Sequence, residues 1–295
     1  MEKFRPVCIY QTGMHLLVTG LNHLRQNANV SDWNQFTKEA CLVHPIASLL
    51  HQDPFTHHSY SKPRGYAGDA ELLDYIYGLR SIPNDTTPLG KKIFQFTSKA
   101  PAPRSVCARR DLLRVLINEV AGQPSPASIL SVACGHLREL EDCASFMQGH
   151  VNEFLAFDQD DESLQVVQAT KPVGVTKIVQ GSVRSLLTGQ LQFNNLDFVY
   201  AAGLYDYLTQ PVARRLTQLM FEMLNPGGRL LVANFAPSLI DIGYMETFMQ
   251  WKLIYRTPDE MAQLSEDIPY IDIATSRQFW DEHNNITFLE ITKRS

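Results

Sequence analysis

A chain of 295 residues, 44% hydrophobic and 19% charged, carries enough apolar mass for one large domain or two modest ones. Its net charge of −5 supplies no basic field, which argues against a nucleic-acid partner. The five cysteines are odd in number and include no Cys-x-x-Cys pair, arguing against a disulfide framework and a zinc cluster and fitting a reducing cytoplasm. The opening Met-Glu-Lys-Phe-Arg-Pro leads only to a short apolar stretch at 16–18, with no signal-peptide core and no membrane span, so the expectation is a cytoplasmic protein, neither exported nor membrane-inserted.

In chain order, Phe36, Ala40, Val43, Ala47 and Leu50 recur at three- and four-residue spacing over 31–50, a helical pattern broken by Pro45. The turn-rich stretch 53–68 reads as loop, after which Asp69 caps a helix through Leu72, Leu73 and Ile76. Residues 82–90 and 101–104 read as breakers. A helix from Ser105 then buries Leu113, Leu116, Ile117 and Val120 and stops at Gly122. The junction falls near Ser105, giving a helical region 1–105 that covers the substrate and a second domain at 106–295.

Beyond it the texture changes to short apolar runs bounded by turns, at 128–133, 153–157, 176–179, 196–201, 229–235 and 286–291. Helical patterns lie between them, such as 211–224, where Pro211 suits a first turn. Strands alternating with helices predict an α/β fold with a mostly parallel sheet covered on both faces.

In such sheets a ligand sits outside the carboxyl ends of the strands. The first run ends Ser131-Val132-Ala133-Cys134-Gly135-His136-Leu137, and Gly135 lets a ligand approach the backbone. The second run ends at Asp158, with Gln159 beside it, near the roughly 20-residue offset at which a carboxylate accepts hydrogen bonds from a ribose. The loop keeps one glycine where a pyrophosphate seat needs three. A ribose site without that seat favours a phosphate-free nucleoside such as S-adenosylmethionine, and it disfavours a nicotinamide dehydrogenase.

The loops resemble those of class I methyltransferases over about 165 residues. Against that family's Asp/Glu-x-Gly-x-Gly-x-Gly, Ser131 stands for the acid, Ala133 for the first glycine and Leu137 for the third. Gly181-Ser182-Val183-Arg184 is similar to the loop that packs on adenine, and 196–200 leading to Ala202-Gly203 to the motif beside the sulfonium. Leu224-Asn225-Pro226-Gly227-Gly228-Arg229 is similar to the turn that opens the fifth strand. The resemblance implies a Rossmann-like fold with a mostly parallel seven-stranded sheet and an N-terminal helical lid.

Arg64-Gly65-Tyr66-Ala67-Gly68-Asp69, the segment 132–139 and Ala202-Gly203-Leu204-Tyr205-Asp206-Tyr207 together resemble the bacterial methyltransferases that make 3-hydroxy fatty-acid methyl ester signals. The same set is similar to azetidine-2-carboxylate synthases, which cyclise the cofactor's aminobutyrate arm and release methylthioadenosine. The implied cofactor-binding residues are Ala133, Cys134, Gly135, Arg138, Asp158, Gln159, Ser182, Val183, Ala202 and Gly203.

Candidate roles follow from residue chemistry. Arg138, in the first turn after the glycine loop, either meets the methionine carboxylate bidentately or faces solvent. Tyr66, in a glycine-flanked loop, suits a ring facing a sulfonium, and Tyr205 competes with Tyr207 for that job. Asp206, His136 and Tyr66 are the bases on offer should an acceptor need one, and Tyr66, Tyr205 and Asp206 form the catalytic set. Cys134 reads as a small buried hydrophobe, and Asp69 as an N-cap. His57-His58 in an extended segment would point apart, so no metal is expected. Met245, Phe248, Met249 and Trp251 read as the buried face of a helix or as an acceptor pocket. Three functions stay open: methyl transfer to a small molecule, cyclisation of the cofactor beneath a lid built from 1–105 and 238–256, and a sensor without turnover. The acceptor, the oligomeric state and any partner protein are not legible in the sequence.

Overall fold

A computed structural model describes residues 7–141, 143–171 and 176–295. The segment 1–6, read above for a leader, lies outside them. The chain forms two compact units, a helical one of Met1–Cys107 with Ser238–Lys252, and a sheet unit of Ala108–Pro237 with Leu253–Ser295. The division falls inside a continuous helix, two residues past Ser105, and the first unit recruits a segment from late in the chain.

The helices in chain order are α1 Val7–Asn27, α2 Val30–Phe36, α3 Pro45–Leu50, α4 Pro54–Ser61, α5 Ala70–Ile76, α6 Pro88–Thr97 and α7 Pro101–Ala121. There follow α8 Ala144–Met147, α9 Asp161–Thr170, α10 Val183–Leu187, α11 Gln210–Glu222, α12 Ile242–Phe248 and α13 Pro258–Ala262. Three of them correct the sequence reading, since α4, α6 and the start of α7 occupy stretches read as loop or breaker. The reason is shared: Pro54, Pro88 and Pro101 each open their helix, where the missing N–H has no intrahelical partner to lose. Asp53 and Thr87 supply caps, accepting from Phe55 and Thr56 and from Gly90 respectively.

Within the helical unit α12 lies against α1, with Gly243 so near that a Cβ there would fall 2.5 Å from the Leu21 carbonyl carbon. Tyr244 hydrogen-bonds Thr56 at 2.9 Å, and buried Glu246 accepts from Trp33 Nε1 and Arg25 Nε, each at 2.7 Å. Asp241, buried at the start of α12, accepts the Ala102 N–H of α7 at 2.9 Å.

The sheet unit contains β1 Ala127–Val132, β2 Val151–Asp158, β3 Thr176–Gln180, β4 Leu196–Ala201, β5 Leu224–Phe235, β6 Ile273–Trp280 and β7 Ile286–Lys293. Their order is β3-β2-β1-β4-β5-β7-β6. The first five pair in parallel, while β7 runs antiparallel to β5 and β6 antiparallel to β7. The sheet is thus mostly parallel and seven-stranded. Pattern alone missed β6, an edge strand whose residues are mostly exposed and so show no apolar run. Val132, Phe157 and Val199 of the central strands share a core with Leu216 and Met220 of α11, and Ile129, Phe154 and Phe198 are buried as well. Strand order reverses between β1 and β4, so their carboxyl ends diverge into the crevice that doubly wound sheets offer a ligand.

Burial raises the carboxyl of Asp241 to about 6 despite the Ala102 N–H. A carboxyl that holds its proton more tightly when folded lets the native state bind more protons between about pH 4 and 6, so stability falls as pH rises through that window. Asp241→Asn removes the term. Its melting temperature should gain on the wild type as pH rises from about 4 to 7, by the equivalent of roughly 2–3 kcal/mol. A constant difference in calorimetric scans would contradict this.

Candidate functional site

The loops that leave β1, β2, β3 and β4 form the carboxyl edge of the sheet unit. Three alternate residues after β1 take left-handed backbone, Ala133 at φ 57°, Gly135 at 53° and Leu137 at 50°. These are the three glycine positions of the resembled motif. The loop keeps the backbone that glycines would adopt freely, at a strain of about 1–2 kcal/mol for each of the two non-glycine residues. Leu137 is held by its burial and by its N–H to the Cys134 carbonyl at 3.1 Å.

Asp158 ends β2 and fixes the loop. Its Oδ2 accepts the Gly135 N–H at 2.8 Å and its Oδ1 the Asp160 N–H at 2.9 Å. The Cys134 N–H meets the Phe157 carbonyl at 3.1 Å, and the Gly181 N–H the Asp158 carbonyl at 2.9 Å, so the loops after β1, β2 and β3 are tied together. Burial pushes the Asp158 carboxyl up from its ordinary value, and the N–H groups of Asp160 and Gly135 pull it back. A carboxylate has about four lone-pair positions, so acceptor capacity remains for a diol. Gln159 beside it is exposed. Ser182 caps α10 by accepting the Ser185 N–H, and Val183 follows, both half-buried. A Cβ on Gly181 would fall 2.6 Å from both Leu191 and Phe157, so any side chain there would displace them.

Arg138, read as meeting the methionine carboxylate or facing solvent, is half-buried. Arg138 Nη1 donates to Glu141 Oε1 at 2.7 Å, a pair three residues apart in the same turn. A second arginine, Arg109 of α7, meets the end of β4: it is buried, Nη1 donates to the Ala202 carbonyl at 2.6 Å, and Nη2 falls 3.7 Å from a Cβ built on Gly203. Its signal was present in the sequence, because 102, 106, 109, 113, 116 and 120 form one helical stripe of which only Arg109 is charged.

Tyr205, a candidate for the sulfonium, is corrected by its placement. It is fully buried, its hydroxyl shares a hydrogen bond with Thr217 of α11 at 2.8 Å, and burial drives its pKa upward. Tyr207, two residues on, is the exposed tyrosine of that loop. Asp206 is 3% exposed, so it is not an open base; its Oδ1 accepts the Phe235 N–H at 2.8 Å and its carbonyl the Ile254 N–H at 2.7 Å, joining the ends of β4 and β5. Burial raises its carboxyl to about 6, against the pull of Phe235 N–H, Arg109 and Arg256. Arg256, 1% exposed, donates to Tyr205 O and Gln210 Oε1, each at 2.7 Å, and also to Asn234 and Leu208. Cys134 is buried and held as a neutral thiol by burial and by Asp158 and Glu139. His136 is buried as well.

Tyr66 belongs to the helical unit and is half-buried, following Gly65 at φ 87°. Its loop is pinned at Asp69, which accepts the Leu72 N–H at 2.8 Å as an N-cap and takes His58 Nε2 on both oxygens at 2.9 Å. His57 and His58 lie in α4 rather than in extended chain, and His57 faces the His51 ring at 6.0 Å. Met245, Phe248, Met249 and Trp251 are all buried. Among the described residues no His, Cys, Asp and Glu cluster could hold a metal ion, and no helix is long and apolar enough to cross a membrane.

No family model matches the sequence, and no curated protein matches it. Solved structures do. A protein of Bordetella parapertussis described as a possible exported protein is 16% identical, with 99% of this chain and 98% of that chain covered at a TM-score of 0.62. A candidate methyltransferase of Thermobifida fusca is 14% identical over 77% of this chain and 94% of its own, at 0.57. The magnesium protoporphyrin IX methyltransferase of Synechocystis, solved with S-adenosylhomocysteine bound, is 13% identical over 80% and 100%, at 0.54. The chain has the class I methyltransferase fold.

The strain at Ala133 is open to measurement. This residue is exposed, so Ala133→Gly loses no core contact and relieves the left-handed backbone, less the added freedom of the unfolded chain. A gain of about 0.5–1 kcal/mol in denaturant unfolding is expected. A loss would show that the loop is unstrained.

Proposed function

We propose that this chain is an S-adenosylmethionine-dependent enzyme that methylates a small molecule, within specialised-metabolite or signal biosynthesis. The observation that carries the reading is the Gly135 N–H to Asp158 bond at 2.8 Å at the strand-order reversal, which presents a ribose-accepting carboxylate beside a loop lacking a pyrophosphate seat. The fold shared with a methyltransferase that binds S-adenosylhomocysteine supports it.

In this reading Asp158 accepts the ribose hydroxyls, residues 181–183 flank the adenine, and Arg109 takes the carboxylate of the amino-acid arm. A nucleophile on the acceptor attacks the S-methyl carbon in line. The carbon–sulfur bond breaks, its electron pair stays on sulfur, and S-adenosylhomocysteine leaves. The protein's part is alignment and exclusion of water.

Purified protein is incubated with S-adenosylmethionine, with and without an extract of small metabolites, and the products are read by mass spectrometry. S-Adenosylhomocysteine that appears only with the extract is the expected result. Methylthioadenosine formed from the cofactor alone would instead establish cyclisation of its arm. Binding without product under either condition would mark a sensor.

Two variants probe the site. Asp158→Ala should weaken S-adenosylhomocysteine and methylthioadenosine alike by about 1–3 kcal/mol, the worth of a charged hydrogen bond. Arg109→Leu should weaken S-adenosylhomocysteine about tenfold or more while sparing methylthioadenosine, which has no carboxylate. Equal loss of both ligands in titration calorimetry would remove Arg109 from that role.

A further inference from the structure

Met245, Phe248, Met249 and Trp251 read in the sequence as the buried face of a helix or as an acceptor pocket, and three of them meet at a cavity inside the helical unit. Met245, Met249 and Trp251, with the rings of Phe55, Phe96 and Tyr244, surround a space of about 20 Å³. That is room for one group the size of a water molecule. Every residue of the lining is buried except half-buried Phe96 and Ala100, so a longer ligand would extend on their side.

Asp241 brings a carboxylate into this apolar lining. It is 3% exposed, its Oδ2 accepts the Ala102 N–H at 2.9 Å, and its Oδ1 has no hydrogen-bond partner among the described residues. A buried acceptor left without a donor is costly, and a charged one more so. Burial raises this carboxyl against the pull of the Ala102 N–H, its own N–H and the charge of exposed Arg104 on α7. A second acid stands behind the rings. Buried Asp53 takes the hydroxyls of Thr56 and Thr97, each at 2.7 Å, and the Tyr244 hydroxyl bonds Thr56 at 2.9 Å. The Phe55 and Thr56 N–H groups fill the rest of Asp53, so it adds negative potential without offering an open position.

Aromatic rings around one unmatched carboxylate oxygen suit a small cation that carries its own donors. Calcium and magnesium need several oxygen ligands, and no cluster able to hold a metal ion exists among the described residues. A primary ammonium group, by contrast, has three N–H donors in about the volume of a water molecule.

We propose that the helical unit binds a primary ammonium group in this cavity, with Asp241 as its carboxylate partner and the body of the amine leaving past Phe96 and Ala100. The surrounding rings and thioethers keep water from the pair. The site stands on the helical unit alone and does not rest on the cofactor reading. The nitrogen held there serves recognition, because a protonated amine has no lone pair with which to attack a methyl group.

The test follows the Asp241 carboxyl carbon by NMR near neutral pH, at constant ionic strength, during titration with the chlorides of methylammonium, n-butylammonium, tetramethylammonium and potassium. The first two should move the signal and bind about tenfold or more tightly than tetramethylammonium, which exceeds the cavity, or potassium, which has no N–H donor. Both amines should also lower the pH at which this carboxyl titrates. Asp241→Asn, equal in size and still an acceptor for Ala102, should weaken n-butylammonium about tenfold or more by ligand-observed NMR.

A wild-type Asp241 signal indifferent to both amines overturns the proposal, and that measurement depends on no variant folding. So does potassium or tetramethylammonium binding as tightly as the amines, or unchanged n-butylammonium binding by a cooperatively folded Asp241→Asn. Methylammonium bound with n-butylammonium excluded would leave a small-ion site and overturn it as well.

Discussion

The bond from the Gly135 N–H to the Asp158 carboxylate holds the functional edge of this protein together. It joins the turns after β1 and β2, and the Asp158 carbonyl carries the tie on to Gly181 after β3. A backbone held left-handed at Ala133 and Leu137 would relax outward without an anchor, and a buried carboxylate would protonate without its N–H donors. Each feature compensates the cost of the other. The result is an acidic group held in place at a sheet edge by backbone N–H donors, a preorganisation that would lower the entropic cost of the proposed binding.

The neighbouring edge, after β4 and β5, is organised by buried charge. Arg256 gathers the loop carbonyls of Tyr205 and Leu208 with the side chains of Asn234 and Gln210, while Asp206 ties the Phe235 and Ile254 N–H groups. Such groups are strongly destabilising when unpaired, so they specify loop geometry more than they add stability. This explains why Asp206, attractive as a base by its place in the chain, serves as a fastener. Arg109 differs, because its guanidinium keeps donors beyond the one that meets the Ala202 carbonyl.

Part of the candidate site's geometry was legible without coordinates. Gly135 and Asp158 announced themselves by the interval between them, the spacing usual from a first loop to the acid ending the second strand, which a 3-10 turn and the short α8 fill here. β1, β2, β4 and β5 were visible as apolar runs because both of their faces are largely covered. Edge strand β6 was not, as solvent faces most of its side chains and leaves no pattern to read. Pro54, Pro88 and Pro101 were misread for a different reason: proline breaks a helix in its interior and opens one at its first turn, and only the neighbouring cap distinguishes the two.

The sequence by itself determined the class of fold, the order of its loops and the two residues that anchor them, because hydrophobic periodicity and loop spacing are local properties of the chain. The tertiary structure decided which side chains reach the site. Arg138 and Arg109 are both arginines on helical turns, yet a glutamate three residues away engages the first, and the second faces the end of β4. Tyr205 and Tyr207 differ in sequence by two positions and in exposure completely, because one turn of 3-10 helix sends the first beneath α11. Contacts between residues far apart in the chain fix these directions, and no local pattern encodes them.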